Sequence, residues 1–396
     1  MKRSATSVAA SLADLDTAQQ RRRRRSVESF ANAGSILEPM VDGRRLINFC
    51  SNDYLGIAGD ARVVAAMQAA AAHWGAGAGA AHLVTGHTHE HHALEEELAA
   101  FTGREAALLF STGYIANVGV ITALAARGEV IVQDRLNHAS LIDGARQSDA
   151  TLLRYLHGDA VDAARRCADA EGKVSLIATD GVFSMDGDIA PLSELAQLAA
   201  RHDAWLLVDD AHGLGVLGKH GAGSLDAKGL DAAQVPLLVG TLGKAFGSFG
   251  AFVAGDRDVI ELILQRARAY IYTTALPPAV AAATRAALKI VMEEDGRRVK
   301  LNALIARFRA GALQLGLPLL PSSTPIQPVL VPGAARCVAA SQALHERGFW
   351  VSAIRAPTVP AGTERLRVTI SAGHNEAQVD ALLDALHVVL TQAETA

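Results

Sequence analysis

Apolar residues in this chain gather into short unbroken runs more often than they alternate with polar ones. Runs of strand length fall at 107–110, 130–132, 174–178, 204–208, 237–239 and 251–254. Between several of them lie segments with one apolar and one polar face at helical spacing, among them 91–101, 115–126 and 191–202. A strand that is apolar on both sides must be covered on both sides, and a helix is the usual connection between parallel neighbours. The pattern therefore predicts an α/β fold, with a mostly parallel sheet covered by helices. Past about residue 280 the rhythm changes. A long helical stretch over 278–315 leads to a strand at 326–331, a helix at 334–347, a strand at 366–370 and a last helix at 376–391. That change predicts a smaller C-terminal α/β domain over 283–396, a large domain over 46–282, and an N-terminal arm over 1–45. No internal repeat is visible.

Composition narrows the function classes. The 396 residues carry 37 Lys+Arg and 41 Asp+Glu, a formal net charge of −4, and half of them are hydrophobic. Such a chain is too apolar for disorder and long enough to bury a full core without staples. Mild acidity speaks against a general nucleic-acid binder. The one basic run, five arginines at 21–25, reads as a solvated helix face, because no second basic cluster or interleaved aromatics accompany it. Cys50, Cys167 and Cys337 are few, odd in number and far apart, which is neither a disulfide framework nor a zinc motif and fits a reducing cytoplasm. The first residues lack the apolar stretch of a secretory signal. Residues 235–255 are weakly charged but hold Pro236, Lys244 and five glycines, a poor membrane helix. The expectation is a cytoplasmic protein with no membrane or nucleic-acid partner.

Candidate chemistry sits at strand ends, where ligands bind in open α/β sheets. An apolar strand runs directly into Asp209, Asp210, Ala211 and His212. The competing reading is an aspartate that caps the next turn. A second strand leads into Gly240-Thr241-Leu242-Gly243-Lys244, with Gly247 and Gly250 after it. A P-loop needs Ser or Thr after its lysine, and here Ala245 follows. Leu242, Phe246 and Phe249 instead give Lys244 apolar surroundings, in which an amine becomes a usable nucleophile. A third segment, Ser111-Thr112-Gly113-Tyr114, opens a helix whose free N–H groups offer a phosphate seat. The histidines His82, His87, His89, His91 and His92 read as a loop entering an acidic helix, so no metal is expected. A lysine, a strand-end acid and a phosphate cradle are together the needs of pyridoxal 5′-phosphate (PLP), with the acid keeping the ring nitrogen protonated.

Seven segments, in order, extend this reading: NFCSNDYLG at 48–56, HALEEEL at 92–98, DRLNHAS at 134–140, DGVFSMDG at 180–187, VDDAHG at 208–213, TLGK at 241–244 and RAPTVPAGT at 355–363. Through them the chain resembles the α-oxoamine synthases, fold-type I PLP enzymes. The last segment favours the branch that condenses L-alanine with a pimeloyl thioester, on coenzyme A or an acyl carrier protein, in biotin biosynthesis. The nearest alternative is a relative that uses glycine and another acyl-CoA. A cofactor-free binding protein on the same fold is opposed by the intact Lys244, Asp209 and His212. The resemblance implies that Lys244 anchors the cofactor and carries the substrate Cα proton, with Asp209 at the ring nitrogen, His212 near the ring's phenolic oxygen and His138 stacked on its face. It implies Ser184 and Thr241 as hydroxyl contacts to the cofactor, and Gly113 and Tyr114 at its phosphate. Family sites lie at a homodimer interface, which implies Thr273 or Thr274 at the partner's phosphate. Arg355 resembles the arginine that holds the amino-acid carboxylate, Thr358 a substrate-side contact, and Arg22 an arginine at the acyl substrate. Relatives differ in the acyl region, where the stretch before His87 is Ala-rich here and Leu83 replaces a polar group.

Overall fold

The computed structural model describes residues 5–18, 20–22, 24–30 and 36–392. It divides into two compact units. The larger comprises Asn52–Ser184 and Asp188–Val299, and the smaller Met1–Ser51, Met185–Gly187 and Lys300–Ala396.

The larger unit is built on a seven-stranded sheet. Its strands are β1 (Ala106–Phe110), β2 (Glu129–Asp134), β3 (Thr151–Tyr155), β4 (Lys173–Asp180), β5 (Trp205–Asp209), β6 (Leu237–Thr241) and β7 (Ala251–Gly255). In space they lie in the order β1-β7-β6-β5-β4-β2-β3. Neighbours are parallel except at β7, which runs antiparallel to both β6 and β1. The helices are α1 (Ala61–Trp74), α2 (His89–Phe101), α3 (Gly113–Leu124), α4 (Ala139–Gln147), α5 (Ala160–Ala168), α6 (Leu192–Arg201), α7 (Arg257–Arg266), α8 (Pro278–Glu293) and the first residues of α9 (Asp295–Gln314).

Strand alternation divides the sheet's side chains between two cores. On one face Phe110, Ile131, Leu176, Leu207, Val239 and Val253 pack with Val120 and Ile121 of α3, Leu141 of α4 and Ile263 of α7. The intervening residues, such as Leu109, Val132, Ile177, Leu206 and Leu238, are equally buried and point the other way, where α2, α5 and α6 pack on the strands. Each such side chain removed from water is worth about 1.5–3 kcal/mol. All six strands expected in this unit are present. β3 was not anticipated: it pairs only with β2, at the sheet edge, and its partly exposed residues include Arg154, so it lacks an unbroken apolar run.

The stretch 278–315 is not one helix, because the backbone leaves the helical region at Glu294 (φ −107°, ψ 65°). Arg297 pins that break by donating to Glu294 and Asp60, each at 2.8 Å, and to the carbonyls of Leu55 and Gly56. The division expected near 282 falls instead inside α9, since α8 packs on α1 and α2 and stays with the larger unit.

The smaller unit holds an antiparallel sheet of β8 (Ile326–Leu330), β9 (Ser352–Ile354) and β10 (Arg365–Thr369), in the order β8-β10-β9, with α10 (Ala334–Glu346) and α11 (Glu376–Gln392). The first 51 residues belong to it and do not form a separate arm over 1–45. Ile47–Asn48 pairs in parallel with Phe349–Trp350, and the Phe49 ring stacks on His374 at 4.2 Å. The arginines at 21–25 are no helix face: the helix Ala5–Thr17 ends before them, and Arg21, Arg22, Arg24 and Arg25 lie in irregular chain, Arg23 being outside the described residues.

Candidate active site

Three adjacent parallel strands, β2, β4 and β5, end on buried aspartates: Asp134, Asp180 and Asp209. A carboxylate taken from water must find donors or protonate. Asp209 accepts from Asn117 Nδ2 at 2.6 Å and from the Ala211 N–H at 3.0 Å. Asp180, its register partner on β4, accepts from the His138 N–H at 2.7 Å. Burial, and then the neighbouring Asp209, raise the Asp180 carboxyl well above the ordinary carboxylate range. Asp134 accepts from the N–H groups of Leu136 and Gly158 and from His157 Nδ1. The other ring nitrogen of His157 reaches Asp188 at 3.1 Å. An imidazole that donates to two carboxylates carries both protons. Burial opposes that charge, but the two acids outweigh it and push His157 up to about 10.

A second chain of hydrogen bonds begins at Lys244, half-buried in the turn after β6. Its Nζ lies 2.8 Å from His212 Nε2, His212 Nδ1 lies 2.7 Å from the Tyr54 hydroxyl, and that hydroxyl donates to Asn52 Oδ1 at 3.1 Å. The tautomer follows. With its one proton given to Asn52, Tyr54 accepts from His212 Nδ1, so His212 Nε2 holds a lone pair and accepts from Lys244. The turn itself closes on glycine: Gly247 has φ +61°, and a Cβ there would lie 2.3 Å from the Ala58 nitrogen.

The two systems meet the start of α3. Asn117 bonds Asp209 and also Ser140 Oγ at 2.9 Å, and that hydroxyl lies 2.7 Å from His138 Nδ1. Thr112 caps α3, and Gly113 brings the helix end so close to β6 that a Cβ would sit 2.6 Å from Thr241 Cγ2. Tyr114 is exposed and its hydroxyl donates to Asp143. The structure thus gathers Lys244, His212, Asp209, His138, Thr241 and Gly113 at one edge of the sheet. Ser184 is half-buried in the loop after β4; Thr273 is half-buried and Thr274 exposed after the short helix Arg268–Ile271. Leu242 and Phe246 are fully buried beside Lys244, whereas Phe249 is exposed. In the smaller unit Arg355 donates to the Arg21 carbonyl at 3.4 Å, next in sequence to the exposed Arg22, and Thr358 is exposed. Sequence reasoning assigned no role to Tyr54, Asn117, Asp180 or His157. Tyr54 and Asp180 lie inside recognised segments, while Asn117 and His157 had no local signal.

The arrangement suits PLP by its donor set, an amine, a strand-end acid and a glycine-lined helix start. Comparison with known proteins decides the family. The model of aminotransferase class I and II matches residues 44–386. The chain belongs to the aminotransferase class I and II family, in its 8-amino-7-oxononanoate synthase branch. It is 61% identical over 350 residues to the 8-amino-7-oxononanoate synthase of Thioalkalivibrio sulfidiphilus, covering 88% of this chain and 89% of that one. To the synthase of Cellvibrio japonicus it is 58% identical over 353 residues, 89% of each chain. Among solved structures it is similar to a Lys-to-Ala variant of serine palmitoyltransferase from S. paucimobilis with a bound PLP–myriocin aldimine, at TM-score 0.93 and 30% identity over 100% of both chains. The fold is that of the fold-type I PLP enzymes, as the resemblance implied. Among the described residues no helix is long and apolar enough to cross a membrane.

His157 gives a pH signature to this family member. A group whose folded pKa lies above its ordinary 6.5 lends stability that is complete below about pH 6.5 and is lost as pH rises through about 10. The melting temperature of the wild-type protein should therefore fall between those values. His157→Gln should lower stability by about 3 kcal/mol on the acid side, the cost of removing one partner from a buried pair, and flatten the alkaline fall. Scanning calorimetry across this range checks it, and an unchanged slope in the variant refutes the role.

Proposed function

We propose that the chain condenses L-alanine with a pimeloyl thioester, releasing carbon dioxide and the free thiol carrier and forming 8-amino-7-oxononanoate for biotin synthesis. The observation that carries the reading is Lys244 Nζ at 2.8 Å from His212, at the same sheet edge as Asp209. PLP, when bound, supplies an electron sink for the charge left at the alanine Cα. Lys244 would hold the cofactor through Nζ and is the amine placed to take the alanine Cα proton and later return one. His212, whose Nε2 lone pair faces that amine, orients it and would serve the ring's phenolic oxygen. Asp209, kept in place by Asn117 and the Ala211 N–H, would hold the proton on the ring nitrogen. His138, fixed through Asp180 and Ser140, would cover the ring face. Ser184 and Thr241 offer hydroxyls to the ring side, and the N–H groups of Gly113 and Tyr114 offer a seat for the phosphate. Arg355 would pair with the alanine carboxylate through two parallel hydrogen bonds and so fix the Cα–H direction, with Thr358 nearby on the substrate side. Arg22 would meet the far carboxylate of the pimeloyl group. The enzyme acts as a cytoplasmic homodimer in this reading, with Thr273 or Thr274 reaching the partner's phosphate.

The deciding experiment offers alanine or glycine with a panel of acyl thioesters and follows thiol release. Alanine with pimeloyl thioester should be turned over best; preference for glycine with another acyl group would reassign the chain to a related synthase. Lys244→Ala should cut turnover by about 1,000-fold or more and remove the visible absorbance of the purified protein, with circular dichroism unchanged. Near-normal turnover would sink the role.

Asp209→Asn should lower kcat by about 100-fold, roughly 2.7 kcal/mol, whereas Asp210→Asn should stay within about threefold of wild type. Their side chains leave the strand end on opposite sides. Equal losses in steady-state kinetics would mean that the ring nitrogen meets neither acid selectively.

For Arg22→Ala, a specific carboxylate contact means a loss of about tenfold in kcat/KM, about 1.4 kcal/mol, for the pimeloyl thioester and almost none for the heptanoyl one. Long-range steering of the carrier's phosphates would instead lower both equally and fade with added salt. That second pattern would remove Arg22 from the site.

A further inference from the structure

We propose that His87, His92 and Glu95 form a Zn2+ site at the start of α2, outside the residues assigned to the reaction. Spacing alone gave no reason to expect a metal here, but folding brings the donors together. His87 precedes the cap residue Thr88, and His92 and Glu95 stand three residues apart on α2, hence on one face of it. One ligand atom from each lies within 4.8 Å of the other two. Donors bonded tetrahedrally to Zn2+ at about 2.0–2.1 Å stand about 3.4 Å apart, so the set must close in, and the exposed His92, whose Nε2 now faces Glu96 at 3.4 Å, is the side chain with room to move.

The surroundings aim these atoms. His87 Nε2 faces Glu95 Oε2 at 3.9 Å, while His87 Nδ1 lies 3.0 Å from His82 Nδ1. Two neutral imidazoles make that bond with a single proton. Metal binding requires His87 to be its donor, which leaves the His87 Nε2 lone pair for the ion beside the carboxylate. His82 then plays the part of the outer partner that orients a metal-bound imidazole. It is itself held, buried and stacked on Tyr270 at 5.0 Å. Glu95 Oε1 accepts the Leu109 N–H at 2.9 Å, which leaves Oε2 toward the histidines. Arg285, the cation on the facing helix α8, is taken by Glu90 and Glu97 and does not neutralise Glu95. His91 does not join the set, because its Nδ1 accepts from Thr88 and its Nε2 donates to the Leu276 carbonyl at 2.6 Å. Two imidazoles and one carboxylate suit Zn2+ or Co2+ better than Mg2+ or Ca2+, and three protein donors leave a fourth position for water. The bound ion would fasten the segment His82–Gly86 and its exit to the first turns of α2.

The test titrates the holoenzyme, first cleared of metal with a chelator, with Zn2+ by calorimetry and with Co2+ by absorption. One equivalent per chain should bind with micromolar affinity or better, and Co2+ should give four-coordinate ligand-field bands. His92→Ala and Glu95→Gln should weaken Zn2+ binding at least tenfold, and His82→Ala by about 10–100-fold, while His89→Ala, an exposed histidine of the same segment, leaves it unchanged. Far-UV circular dichroism establishes that each variant is folded. Absence of uptake by the wild-type protein, or equal affinity in the wild type, His92→Ala and Glu95→Gln, overturns the proposal.

Discussion

Carboxylates buried side by side at the ends of β2, β4 and β5 set the constraint on which the rest of the larger unit turns. A parallel sheet delivers three strand ends to one edge, and each of these ends on an aspartate. None can stay buried without donors. Neighbouring helix and loop segments supply them, and in doing so the loops take their shapes. The His138 N–H is committed to Asp180, the Asn117 amide to Asp209, and the Leu136 and Gly158 N–H groups to Asp134. His157 then joins Asp134 to Asp188, so the connections after β2, β3 and β4 are tied to one another by charge. Chemistry placed on these segments is held by hydrogen bonds to buried acids, and where the acid is ionised these are stronger than bonds between neutral groups.

The lysine depends on the same arrangement from the other side. Lys244 reaches His212, which lies three residues beyond Asp209, and His212 is oriented by Tyr54. An error in the position of β5 would therefore displace the acid and the histidine together. The helix start at Gly113 is placed by contact with Thr241, three residues before Lys244, and this contact admits no Cβ. The elements of a cofactor site are thus coupled through β5 and β6, and precise placement follows from rigid strands more than from flexible loops.

How much of this was legible in the sequence varies with burial. Strands enclosed on both faces announce themselves as unbroken apolar runs, and all six were found within two residues of their observed ends. β3 was not, since an edge strand needs no second apolar face. The long helix was read through its break because Glu294 and Asp295 are unremarkable in a helix, and what stops the first one is Arg297 gathering carbonyls and acids from elsewhere in the unit. Lys244, His212 and Asp209 stood out as candidates because their types and strand-end positions carry chemistry by themselves, whereas His138 was named only through the resemblance. Asn117 and His157 did not stand out, since their importance lies wholly in which partners folding brings to them. Arginines 21–25 show the reverse case. A run of charge looks informative, yet only the fold reveals that Arg21, Arg22, Arg24 and Arg25 lie in irregular chain, with Arg21 beside Arg355 and Arg25 bonded to His345 and Gln342.

The neighbours Asp209 and Asp210 show most directly how position decides the use of one residue type. Both are buried; Asp209 ends β5 and Asp210 is the next residue. Asp209 faces the amide of Asn117 and the histidine side of the sheet edge. Asp210 turns the other way, into a cage of backbone. A Cβ would come within 2.6 Å of its Oδ1 at Gly181 and within 2.1 Å at Gly213, and within 2.1 Å of its Oδ2 at Gly223. Only glycine lets the three turns close around it. Burial pushes the Asp210 carboxyl up to about 7, against the pull of the Ser224 N–H at 2.7 Å. A carboxyl raised in this way holds a fixed charge poorly; its Oδ2 fastens the chain at Ser224, while its Oδ1 fills the space that Gly181 and Gly213 leave open. The DD pair is therefore no duplicated catalytic acid. Strand geometry splits it into one carboxylate that faces the site and one that builds the wall behind it.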